Sequence, residues 1–162
     1  MKTQLIKTTM CSLLFASAFV ILALVTTSGV ARAQTVGTCS VQTLDGTYVF
    51  ATHGWNIVNG AAVPKAIVEG IKFNGDGTLT SPFATVSVNG TILHFSGGAG
   101  TYTLQSNCTG TLTFTNGPSF DIVADPPPPP PHESFSKQLW MIQTGPAAVP
   151  AVFEGTVIRV SR

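Results

Sequence analysis

Charge is scarce in this chain. Eight Lys and Arg and seven Asp and Glu are spread over 162 residues. A protein that grips nucleic acid needs Lys and Arg clustered against the phosphates. No such patch exists here, so a nucleic-acid partner is excluded. Helical periodicity is missing from every stretch after Ala33. Without a helix there is no frame for a glycine-rich phosphate loop, and no G-x-S-x-G nucleophile motif occurs. Histidine is limited to His53, His94 and His132. They are scattered, without the i, i+2 or i, i+4 spacing that ligates a metal, so neither a metal nor a cofactor is expected.

A long hydrophobic run is present once, at the start. Lys2 and Lys7 precede an uncharged stretch, "SLLFASAFVILALV", over 12–25, and Ala31-Arg32-Ala33 closes the segment. Positive residues, an apolar run and an A-x-A site form a secretory signal peptide. The run is about 14 residues, short of the roughly 20 that a spanning helix needs. Cys11 lies ahead of the apolar run and outside any lipobox-like context, so no stable membrane anchor is expected. The expected products are a cleaved signal helix, 1–33, and one exported domain, 34–162, secreted or periplasmic. That domain holds five bases against seven acids, a net charge of −2.

Export bears on the cysteines. Removing 1–33 leaves Cys39 and Cys108. Two cysteines in an oxidising compartment most simply form one disulfide.

Short runs rich in Val, Ile, Thr, Phe and Tyr fill the domain, separated by Gly, Asn, Asp and Pro, which is the pattern of a sandwich or barrel. Strands are expected at 46–52, 66–74, 78–81, 83–88, 91–95, 100–105, 110–115 with 119–123, and 136–143 with 151–160. Asn89-Gly90 and Asn116-Gly117 mark tight hairpins, because both central residues of a type I′ turn need φ > 0. "NGDG" at 74–77 resembles the middle of a calcium loop. Aligned on Gly77, however, such a loop would put Lys72 and Phe83 at its two end ligand positions. A hairpin connection is the better reading. "DPPPPPPHE" over 125–133 is a stiff polyproline rod of about 19 Å. It is expected to form a rigid loop outside the sheet, with docking to an aromatic groove as the sharper alternative.

Three stretches carry a resemblance: Leu44-Asp45-Gly46-Thr47-Tyr48, then Gly70 to Gly77, then Gly100-Thr101-Tyr102 leading to Cys108-Thr109-Gly110-Thr111-Leu112. Their order is similar to that of small exported bacterial proteins of unassigned role. The resemblance implies a closed antiparallel β-barrel like those of allene oxide cyclase-like and lipocalin-like proteins. Lipocalins carry Gly-x-Trp on the first strand and a base on the last strand that packs over it. Gly46-x-Tyr48 and Arg159 stand in those places here. No catalytic residue falls inside a matching motif.

The fold class is therefore all-β, a single antiparallel barrel of about eight strands. Alternation in "IVEGIKF" puts Ile67, Glu69, Ile71 and Phe73 on the interior face. A small barrel either fills with side chains or holds one small ligand. The expected lining is Tyr48, Phe50, Glu69, Phe73, Tyr102, Leu104, Phe114 and Phe120. Glu69 is the candidate general acid or base, unless Lys65 or Arg159 neutralises it. Glu154 is a second carboxyl that alternation allows inside. His53, in a loop after the first strand, would sit with Trp55 at the mouth. His94 is either a core or a lumen group, and His132 is solvated. The first functional expectation is a binder of a small apolar molecule in the interior. The alternatives are a cyclase or isomerase of the allene oxide cyclase type, and a structural or surface-interaction protein with a filled core. A homo-oligomer is compatible with all three.

Overall fold

The computed structural model describes residues 38–129, 134–145 and 150–161. The signal segment, His132 and the end of the proline run lie outside them. A short 3₁₀ turn, Val41–Leu44, leads into nine strands. They are β1 (Gly46–Val58), β2 (Ala61–Phe73), β3 (Thr78–Val88), β4 (Thr91–Phe95), β5 (Gly98–Leu104), β6 (Thr109–Phe114), β7 (Ser119–Ala124), β8 (Gln138–Gly145) and β9 (Ala151–Ser161). No α-helix occurs among the described residues.

Every pairing is antiparallel. The order β2-β1-β9-β8-β7-β6-β5-β3 closes when β2 meets β3, giving an eight-stranded barrel with β4 outside it. Closure removes the exposed edges that an open sheet would present.

Alternation sorts the side chains. Along β1, Tyr48, Phe50 and Thr52 point in, while Ala51, His53 and Trp55 point out. Along β2, Glu69, Ile71 and Phe73 are buried as the pattern required. The interior is packed. Five pairs of aromatic rings meet edge to face with centroids 4.8–6.2 Å apart, running Tyr102–Phe73–Tyr48 at one end and Phe153–Phe50–Phe120–Phe114 at the other. Edge-to-face contact matches a ring's positive rim to its neighbour's negative face. Leu79, Leu112, Ile122, Leu139 and Val157 fill the gaps and are almost wholly buried.

One end of the barrel is plugged. Leu44 drops into the core behind the 3₁₀ turn. Tyr102 Oη donates to the Val41 carbonyl, Ser136 N–H to the Thr43 carbonyl, and Tyr48 Oη to the Ser136 carbonyl. Cys39 and Cys108 are bridged, tying the plug to the β5–β6 turn. Arg159, the cross-strand partner of Tyr48, lies against Gly46, donates to the Asp45 carbonyl at 3.0 Å, and holds its guanidinium over the Phe135 ring.

Two expectations are corrected. β1 runs to Val58 and β2 starts at Ala61, so His53 and Trp55 lie within a strand. Asn59 and Gly60, with φ of 50° and 81°, make the tight turn of this hairpin. The segments expected at 78–81 and 83–88 are one strand, β3. A register slip opposite Gly70 and Lys72 forms a bulge that tolerates Pro82. Asn74 to Gly77 is the β2–β3 hairpin connection, as the sequence suggested. The Asp76 carboxylate accepts from both the N–H and the hydroxyl of Thr78, at 2.9 and 2.7 Å. That hydrogen bonding holds the carboxyl below its ordinary range.

Candidate functional site

Glu69, Lys65 and Ser81 meet on the inner face in the half of the barrel away from the plug. Glu69 stands between Phe50 on β1 and Ala84 on β3 and is 8% exposed. Burial pushes its carboxyl above the usual range, partly offset by the Ser81 hydroxyl and the Lys65 ammonium. Burial also pulls Lys65 below its ordinary value, partly offset by Glu69. Its Nζ lies 4.5 Å from the centroid of the Phe153 ring. Gln143, the cross-strand partner of Phe120, buries its Oε1 without a hydrogen-bond partner among the described residues.

The expected lining set therefore does converge. Tyr48, Phe50, Glu69, Phe73, Tyr102 and Phe120 are buried on the inner face, Leu104 with them, and Phe114 packs against them. What they contact is chiefly one another.

Both described concavities open on the outer wall. The larger, about 500 Å³, spreads over β1, β9, β8 and β7. Two outward rows build it. One runs Ala51, Thr156, Trp140, Val123 across the four strands; the next runs His53, Glu154, Ile142, Asp121. Ala51 and Thr156 are short where Trp140 and His53 are tall, and this difference makes the dip. The floor is apolar. The rim carries two exposed carboxylates, an imidazole and no Lys or Arg. Glu154 and Asp121 lie two strands apart, about 10 Å at the backbone, and no group of three or more metal-ligating side chains gathers among the described residues. The smaller concavity, about 310 Å³, lies across β1 from the first. His53, Trp55, Pro64, Ala66 and Ser87 line it.

Glu154 is corrected here: it points outward, opposite His53 and Ile142. His53 and Trp55 stand on the outer wall rather than at the barrel mouth. His94 is exposed on β4, its Nδ1 3.2 Å from the Thr85 hydroxyl. Trp140 and Asp121 were missed. Leu139, Trp140, Met141 and Ile142 are all apolar, so alternation offered no contrast to say which face was the outer one. No family model, curated protein or solved structure matches the chain.

Proposed function

We propose that this chain is an exported binding protein that takes a small molecule on its outer wall, in the groove walled by Trp140. Its core is the packed scaffold that holds the wall rigid. The observation that carries the reading is the pairing of a half-exposed indole, 48% accessible, with two carboxylates and no Lys or Arg among the lining residues. An indole face and nearby carboxylates both attract cations. The ligand class is therefore an apolar body bearing an amine or quaternary ammonium group. The disulfide fits an oxidising compartment.

The test uses Trp55→Phe, which leaves Trp140 as the sole indole reporter. Benzyltrimethylammonium should quench its fluorescence saturably, more weakly in high salt and after Asp121→Asn with Glu154→Gln. An equal response to phenylpropanoate, or no response to either, overturns the reading.

A second reading keeps the ligand inside, at the unplugged end. The buried Gln143 Oε1 beside Phe120 favours it: among the described residues it has no partner, and a buried acceptor left unpaired costs free energy that a ligand donor would recover. An apolar molecule retained in native mass spectrometry, and lost on Gln143→Leu, would select it.

A further inference from the structure

β4 ends the sheet. All five of its residues are exposed, including Leu93 at 43% and Phe95 at 56%. It pairs with β3 alone, Ala84 through Val88 against Phe95 through Thr91. The β6–β7 hairpin turns back at Asn116 and Gly117, so on that side β6 reaches β5 and stops short of β4. Among the described residues β4 is the strand with an unpaired side along its whole length. It carries none of the devices that usually blunt such an edge: no Lys, no Pro, no charge and no bulge.

The turn decides which backbone groups are free. Asn89 and Gly90 both have φ > 0 in a two-residue loop. Val88 and Thr91 are then a hydrogen-bonded pair, and such pairs alternate along the ladder. Thr91, Leu93 and Phe95 spend their amide groups on β3. Ile92 and His94 direct theirs to the open side. The close approach of His94 to the Thr85 hydroxyl fits the non-hydrogen-bonded pair this assigns to them.

We propose that β4 pairs antiparallel with β4 of a second copy, about a two-fold axis through Leu93. The register follows from the groups left free. Ile92 of each chain faces His94 of the other, and each pair exchanges two N–H···O bonds, four in all. Leu93 faces its own symmetry mate as a non-hydrogen-bonded pair, with Cα atoms about 4.5 Å apart. Thr91 and Phe95 oppose each other on the same face. The strand is its own complement, as a two-fold interface requires. With no Lys, Arg, Asp or Glu on β4, the pairing sets no such like charges against each other. A short strand pair buries little area, so the dimer is expected to be weak and dependent on concentration. The inference is independent of the groove on the outer wall.

The test is a charge swap at the axis. The processed protein, sedimented from about 5 to 500 μM, should shift from one chain's mass toward two. Leu93→Lys and Leu93→Glu should each raise the dissociation constant at least tenfold, because each puts like charges face to face. An equimolar mixture of the two should recover a dimer holding one of each. Leu93 is exposed, so both variants should melt close to the parent. As a readout free of mutation, amide exchange at Ile92 and His94 should slow with concentration while Leu93 stays protected throughout. A monomer at every concentration, dimers that survive both substitutions, a mixture that fails to reassociate, or concentration-independent exchange at Ile92 and His94 would each overturn the proposal.

Discussion

Replacing Cys39 and Cys108 together by Ala removes the one covalent tie across the domain. The bridge spans 69 positions. On the chain-entropy account a loop of that size restrains the unfolded chain by roughly 4 kcal/mol at 25 °C. Domains of this size are stable by about 5–15 kcal/mol, so the loss is a large share of the whole. The folded state should survive it. The plug stays seated through Leu44, the Tyr102 bond to Val41 and the Ser136 bond to Thr43. Urea unfolding followed by far-ultraviolet circular dichroism reads the effect. With an m-value of about 2 kcal/mol/M, the midpoint should fall by about 2 M. The slope should steepen slightly, because the unbridged chain exposes more surface when unfolded. A loss under about 1 kcal/mol would refute the reasoning, showing that the unfolded chain is not restrained by this loop.

Glu69→Gln should alter how stability depends on pH. The buried carboxyl of the folded protein keeps its proton at pH values where the unfolded chain has already lost it. The parent therefore loses stability as pH rises from the unfolded carboxylate range, near about 4.3, through the raised folded value. Melting temperatures of parent and variant should agree near pH 4 and separate above it, the Gln variant being the higher at pH 7; parallel curves would refute this. Phe50→Ala, which removes the ring shared by Phe120 and Phe153, should cost about 3–5 kcal/mol in urea unfolding. A cost under about 1 kcal/mol would mean that the ring borders open space.

The fold was legible where one face of a strand is buried. Ile67, Glu69, Ile71 and Phe73 alternate with their neighbours because only one side of β2 meets the core. Asn89 and Gly90 both adopt the positive φ that their pair implied, but at 116–117 only Asn116 does, because the β6–β7 loop is longer than the two-residue turn expected there. The pattern faded where strands run past the barrel. In the far halves of β1 and β2, from Trp55 to Pro64, neither face is deeply buried, so Trp55, Ile57 and Val58 show no period. The Asn59-Gly60 turn was the available signal there. Pro82 reads as a strand break because the bulge that absorbs it depends on the partner strand. The candidate groove was the least legible part. Its residues come from β1, β7, β8 and β9, and it exists because closure sets the last strand beside the first. Nothing local to Asp121 or Trp140 announces that neighbourhood.

The outer-wall reading depends on a core filled by its own aromatic rings. Xenon seeks dry apolar voids, so diffraction from crystals under xenon pressure reads how completely the core is filled, with Phe50→Ala as the control that should admit gas where the ring was. No xenon should enter the unmodified barrel, and a peak should appear among Phe120, Phe153 and Val157 in the variant. Xenon lodged between Phe50 and Phe120 in the unmodified protein would contradict a filled core.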